Sequence, residues 1–416
     1  LDQLEKPVYG IVSADIKLKG PLPENGEGLL SGLKIDTAFD LENISLPLDV
    51  KGKTVNAELG KLKGSASLNN NQLQHDITAK LLGGNASVKG SLGLKEMGVK
   101  TVDTNIGLEQ IDLAWIQGIK KGDWIPASGK LAGQLKVKGP LTENNTNIKA
   151  AGTLTASKLV LGTGEKKNTI ETANLTLKDS SKDLTHALLE LDAFKTAGLE
   201  FKKVQTKFKI NPKQIDLVEG RVFPKNGELK LAGSFLPPSG AYRLKFKGDK
   251  LKVEDFAKQL AGPLGLQGKL NGALPENGNG FPDIAKQLSG DIKLKLVDGN
   301  LPELGALETI LTILNPTSLL DAKKAGLNYE YLGGDFKIVK GLVNTDNFEM
   351  KSSQLNMQVM GDADLGKDTV NAQIKVMPMQ MLDNTIKAIP LLGQILTGGK
   401  KGGIIETYFK VDGKLS

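Results

Sequence analysis

A chain of 416 residues carries 54 basic and 47 acidic side chains, a formal net charge of +7, and no cysteine. That length exceeds a single compact core and points to two or three domains or a repeat array, while the missing thiols exclude a disulfide scaffold, a thiol nucleophile and a thiolate metal site. The charges of both signs are interspersed as on a solvated face; attraction to phosphate-bearing partners, lipid headgroups included, is the second reading of the basic excess.

Glycine is plentiful at 49 residues and aromatics reach only 5%, so the apolar content is aliphatic and the connections are many. No run of about 18 apolar residues is present that would span a bilayer as a helix. The first residues, "LDQLEKPVYG", contain neither a Met nor a signal-like apolar region, and read as the start of a mature or excised part.

In chain order, the first strong signal is "DIKLKG", where Ile16 and Leu18 alternate with Asp15, Lys17 and Lys19. It runs into "KLKGPLPENGEG" (17–28), which has near copies in "KVKGPLTENNTN" (136–147) and "KLNGALPENGNG" (269–280). Gly20, Gly139 and Gly272 are equivalent in the three copies, and the Pro, Asn and Gly that follow suit a tight reversal out of a strand. An alternating strand comes after each: "SGLKIDTAFDL", "IKAAGTLTASKL" and "LSGDIKLKLVDGNL". The spacing exceeds that of common solenoid units and predicts three modules, 1–127, 128–265 and 266–416.

Between the copies, "LAWIQGIKKGDW" (113–124) predicts a short amphipathic piece holding Trp115 and Trp124. "QLKVKG" presents Leu135 and Val137 on one face, and "RLKFKG" presents Leu244 and Phe246. Turns are predicted at "KDSSKD" (178–183), at "NGE" (226–228) and at "DLGKD" (364–368). "KVEDFAKQLAG" (252–262) predicts two helical turns ended by Gly262. "ELGALETILTILN" places Leu304, Leu307, Leu311 and Leu314 on one helical stripe. The strands "DIKLKLVDG", "QLNMQVMG" and "VNAQIKVM" alternate again. A last apolar segment (381–396) is interrupted by Pro390 and Gly393. One apolar and one charged face per strand is the pattern of an antiparallel sheet wet on one side.

The inventory for catalysis is thin. His75 and His186, the two histidines, have no ligand partners at metal spacing and read as surface or strand-edge residues. The glycine-rich stretches "SGKL", "LQGKL" and "GGKKGG" lack phosphate-loop spacing, and Asp362 with Asp364 reads as a solvated hairpin tip. No catalytic residue, metal site or cofactor is expected, and no nucleic-acid module appears. An outer-membrane barrel lacks its aromatic girdle here.

The last third carries a resemblance. "LSGDIKLKLVDGNLPELGALETILTILN", then the strands from Gly333 to Pro378, then "IKAIPLLGQILTGGKKGGIIETYFKVDGKLS" resemble the C-terminal region of the bacterial AsmA-like family, related to TamB and the bridge-like lipid-transfer proteins. Gly361, Asp364 and Leu365 fit the family's turn, with Val359 in place of its first glycine. The likeness covers roughly 266–416. It implies a long, mostly antiparallel sheet curled into an open apolar groove (a β-taco) with a few short amphipathic helices. It implies a non-enzymatic, periplasmic protein anchored in the inner membrane by a segment outside this chain, conducting phospholipids between inner and outer membrane. An outer-membrane assembly protein is a possible partner, and the alternative role is a scaffold that adds a client strand in outer-membrane protein assembly.

Alternation nominates the lining of such a groove: Ile292, Leu294, Leu296, Phe336, Ile338, Phe348, Met350, Leu355, Met357, Val359, Val370, Ile374 and Val376. Bound phospholipid or another acyl-chain ligand is expected there, since each buried methylene contributes about 0.8 kcal/mol. The segment with Leu382, Ile386, Ile389, Leu391, Leu392 and Ile395, flanked by Lys387, Lys400 and Lys401, is expected either to cap the sheet or to touch a membrane or partner.

Overall fold

The computed structural model describes residues 9–20, 34–50, 53–95, 98–118, 125–141, 147–162, 167–181, 183–196, 198–274, 281–302, 326–378 and 406–414. Among the described residues the chain is mainly β: 22 antiparallel strands in open sheet, with little helix. Two compact units divide it, Leu1–Pro212 and Lys213–Ser416, each with eleven described strands.

In the first unit, β1 (Tyr9–Lys19), β2 (Lys34–Val50), β3 (Lys53–Asn69) and β4 (Gln72–Leu81) open a meander. β5 (Gly84–Lys95), β6 (Gly98–Asp112), β7 (Pro126–Pro140) and β8 (Lys149–Leu161) extend it. β9 (Asn168–Ser180), β10 (Thr185–Thr196) and β11 (Leu199–Ile210) complete it. Every strand pairs antiparallel with the next in sequence. Two-residue turns enforce this locally. Asn70–Asn71 and Leu82–Gly83 carry positive φ throughout (47°, 61°, 49° and 74°), the hand that matches the twist of the flanking strands.

The second unit repeats the scheme with β12 (Ile215–Phe223), β13 (Glu228–Leu236), β14 (Ala241–Asp249) and the short β15 (Leu251–Lys252). β16 (Pro263–Ala273) pairs with both β14 and β15 and then with β17 (Ser289–Leu301). β18 (Leu327–Val339), β19 (Leu342–Lys351), β20 (Leu355–Asp364), β21 (Thr369–Pro378) and β22 (Thr407–Lys414) follow in order.

All six strands expected from alternation lie in strands of the fold, and the three expected turns join β9 to β10, β12 to β13 and β20 to β21. The repeated motif sits at strand exits: Gly20 follows β1, while Gly139 and Gly272 close β7 and β16. At Gly139 φ is 150° and a Cβ would lie 2.5 Å from the Asn147 carbonyl oxygen, so the exit needs glycine. The junctions expected after 127 and after 265 fall inside β7 and β16, and the two units meet after Pro212 instead.

Two helical expectations shrink among the described residues, which leave out 119–124 of the first. "LAWIQGIKKGDW" yields a 3-10 turn at Ala114–Gly118, and "KVEDFAKQLAG" one at Val253–Asp255. The helices expected in 303–315 and 380–399 lie outside the described residues. The expected strong curl is also corrected: the sheet is open and not strongly curled.

The core of the second unit is a single cross-strand row. Leu251, Leu264, Leu296, Leu332, Met350, Met357 and Val376 stand opposite one another in turn, each at most 8% exposed. Phe256, Ala257 and Leu260, from the connection after Val253, pack against this cluster. Tyr329, 2% exposed, pins that connection by donating a hydrogen bond from Oη to the Ala261 carbonyl at 2.8 Å. Burial, helped by the charge of Glu254, pushes the phenol up to about 12.

A raised phenol pKa means that the folded state favours the neutral hydroxyl. Its stabilisation is complete below the unfolded value of about 10 and lost as pH rises through the folded value. Urea unfolding across that alkaline window should show the wild type losing stability faster with pH than Tyr329→Phe. Equal slopes would contradict the assignment.

Candidate functional site

The first unit spreads its apolar side chains over one face of eleven strands. One row reads Ala14, Phe39, Gly64, Ile77, Val88, Ile106, Leu135, Gly152, Leu177, Ala187 and Phe208, each directly opposite the next. A parallel row reads Leu41, Leu62, Ala79, Ala86, Leu108, Gly133, Leu154, Leu175, Leu189 and Thr206. A third joins Leu18, Ile35, Leu68, Leu73, Leu92 and Val102. At about 4.8 Å per strand, eleven strands extend these rows for roughly 48 Å. Where the row meets Gly64, the Phe39 ring fills the missing side chain: a Cβ there would lie 2.7 Å from Phe39 Cζ.

Burial distinguishes this face from the core just described. In the Ala14–Phe208 row Ile77, Val88, Ile106, Leu135 and Leu177 are only half-buried, and Ala187 alone among its described positions is buried. A packed inter-sheet core would bury nearly all of them. Cover is found at one end, where Leu113 and Ile116 fold back onto Leu159, Leu161 and Ile170. That fold-back is held by Asp112, whose Oδ1 accepts from the Ala114 N–H at 2.9 Å and whose Oδ2 accepts from Lys130 Nζ at 2.9 Å. Those two bonds keep the Asp112 carboxyl below its ordinary value.

All thirteen residues expected to line a groove lie on strands of the second unit, β17 to β21, and register brings them to one face. Leu296, Ile338, Met350, Leu355, Met357 and Val376 are buried in packed structure. Ile292, Leu294, Phe336, Phe348, Val359, Val370 and Ile374 are half-buried. The nine residues expected to touch a membrane or partner (Leu382, Ile386, Lys387, Ile389, Leu391, Leu392, Ile395, Lys400 and Lys401) lie outside the described residues. The more open face of the first unit went unnominated, although "HDITAKLLGGNASVKGSLGL" alternates as cleanly as the stretches that were chosen.

His75 corrects an expectation. It is buried on the apolar face, not exposed, and its Nε2 lies 3.2 Å from the buried Thr104 hydroxyl, across Gly90. Gly90 leaves the gap that the two polar side chains bridge. His186 is exposed, as expected.

The opposite face is ionic. Lys89 pairs with Asp76 at 2.6 Å, Lys138 with Asp103 at 3.1 Å and Lys63 with Asp40 at 3.2 Å. The hydrogen bond from Lys138, aided by the Lys136 charge, holds the Asp103 carboxyl low, and Asp76 raises the Lys89 ammonium. Exposed pairs of this kind add little stability singly but fix which residues stand opposite. An open hollow of about 670 Å³ lies among these side chains, bordered by Asp36, Asp76 and Lys89; another, of about 800 Å³, lies on the second unit, bordered by Lys245, Lys269 and Lys337. Among the described residues no group of three or more His, Cys, Asp or Glu could hold a metal, and no helix is long and apolar enough to cross a membrane.

Compared with known proteins, the chain matches no family model, no curated protein and no solved structure.

The contrast between the two faces predicts unequal costs of truncation. Leu296→Ala should lower stability by about 2–5 kcal/mol, as for a closed core. Ile106→Ala should cost about 1 kcal/mol, as for a half-exposed side chain. Denaturant unfolding followed by circular dichroism measures both; equal losses would mean that the first face is covered as fully as the second.

Proposed function

We propose that the open apolar face of the first unit binds phospholipid acyl chains and lets them pass along the sheet, without catalysis. The observation that carries this reading is the set of continuous, half-exposed aliphatic rows across eleven strands. A face of that size left to water would drive aggregation. Acyl chains suit it: burial at roughly 0.8 kcal/mol per methylene needs no shaped pocket, and the rows, at roughly 48 Å, exceed the 30 Å or so of a bilayer's hydrocarbon core. The resemblance of 266–416 to the AsmA-like family supports the same role. That resemblance implies work in the bacterial periplasm, between inner and outer membrane, with an inner-membrane anchor outside this chain. The taco of that family becomes a shallower surface in this proposal, closed by its cargo.

A second reading has one observation in its favour. β1 pairs only with β2 among the described residues, and its Ile16 and Leu18 are 60% and 66% exposed, so a client strand could add to this edge during outer-membrane protein assembly. Lys17 and Lys19 on the same strand are the charges that ordinarily discourage such pairing.

Native mass spectrometry of protein purified without detergent, with organic extraction of what it carries, separates the two. Phospholipid is expected in several copies per chain, and Ile77→Asp with Ile106→Asp should deplete it. A lipid-free, monodisperse, stable protein would overturn the lipid reading.

A further inference from the structure

We propose that the hairpin joining β18 to β19, with the basic side chains beside it on the polar face of the second unit, docks on the surface of an anionic phospholipid bilayer. The turn is a tight two-residue one: Lys340 and Gly341 have φ of 50° and 82°. On either side of it Val339 and Leu342 stand directly opposite each other, 52% and 44% exposed. They lie on the polar face, since the next residues along, Ile338 and Val343, form the apolar pair. An apolar pair at the tip of a rigid turn, turned away from its own sheet's apolar face, is placed to enter another apolar phase.

The charges beside it point to which phase. The next row inward reads Lys245, Lys269, Asp291 and Lys337, each opposite the next. Lys245 and Lys269 are thus a like-charged cross-strand pair, an arrangement that weakens a sheet. Lys230 and Lys247, one row further, form another. Arg243, Lys245, Lys269, Lys337 and Lys340 are exposed and, among the described residues, lie in no ion pair. The acids nearby among the described residues include Asp291, within the row, Asp346, Asp362, which accepts from Asn344 Nδ2 at 2.9 Å, Asp335, which pairs with Lys293 at 3.4 Å, and Asp364, which pairs with Lys367 at 3.0 Å.

The first unit also sets lysines opposite each other, Lys19 with Lys34 and Lys138 with Lys149, but there Lys34 pairs with Asp36 at 3.5 Å and Lys138 with Asp103 at 3.1 Å. The second unit leaves positive charge uncompensated around a hollow of about 800 Å³ beside an exposed apolar tip. Phosphate headgroups supply the missing negative charge and the bilayer supplies the apolar phase for Val339 and Leu342. This inference does not depend on whether the first unit carries lipid.

The test is flotation of the whole chain with phosphatidylcholine vesicles, with and without phosphatidylglycerol. Binding to the anionic vesicles only, weakening with salt, is expected. Each of Lys245→Gln, Lys269→Gln and Lys337→Gln should lower partitioning about five-fold, equivalent to roughly 1 kcal/mol per basic side chain near an anionic surface. Val339→Asn with Leu342→Asn should lower it further, while Lys89→Gln and Lys138→Gln in the first unit leave it unchanged; thermal melting confirms that each variant folds. Equal partitioning by all variants would overturn the proposal, and so would binding to short duplex DNA without binding to anionic vesicles. Ile106→Asp separates the two hypotheses, because it should remove extracted lipid and leave flotation intact.

Discussion

The two-residue period of a strand, held in register across many strands, is the constraint on which everything else here depends. Because successive side chains point to opposite faces, a slip of one residue in β7 would turn Leu135 and Val137 to water and Lys136 and Lys138 onto the apolar side. Register is therefore pinned repeatedly. Two-residue turns fix it at strand ends, opposed charges such as Lys138 with Asp103 fix it on the wet face, and the Phe39 ring over Gly64 fixes it on the dry one. The rows that define both faces exist because those pins agree.

Given the same alternation, the two units treat their apolar faces differently. In the second, a seven-residue row from Leu251 to Val376 is closed from solvent and Tyr329 fastens the connection packed against it. In the first, most positions of the rows stay half-exposed, with Leu68, Ala187 and Thr206 buried, and Leu113 and Ile116 fold over one end. Hydrophobic burial is roughly proportional to area removed from water, so the closed row of the second unit contributes more stability per residue than the half-exposed rows of the first. The polar faces differ in the converse way. Asp76 and Asp103 pair with Lys89 and Lys138 in the first unit, while in the second Lys245 stands opposite Lys269 with neither in an ion pair among the described residues.

Much of this was legible in the residues. Alternation in "QLKVKG", "RLKFKG" and "VNAQIKVM" marked strands and their faces, because a half-buried strand has no other way to be written. It also brought all thirteen nominated residues to one face, since β17 to β21 pair in sequence order. What alternation does not encode is cover. Leu296 and Ile106 have the same local pattern, yet one is sealed and the other half-open, because that depends on what the connections between strands lie against. His75 was misplaced for a related reason: a polar residue at an apolar position reads as an edge until its partner Thr104, 29 residues away, is known. The two-unit division was hidden as well, since the motif at Gly20, Gly139 and Gly272 marks strand exits and not the change of unit after Pro212.

Photo-crosslinking with a residue scanned along β4, β6 and β7 tests the central claim most directly. Positions 77, 106 and 135, on the apolar rows, should crosslink to phospholipid, and their neighbours 76, 105 and 136 should not. A two-residue periodicity of lipid adducts is the predicted result. Adducts at both parities, or none at the apolar positions while the protein stays folded, would contradict the account.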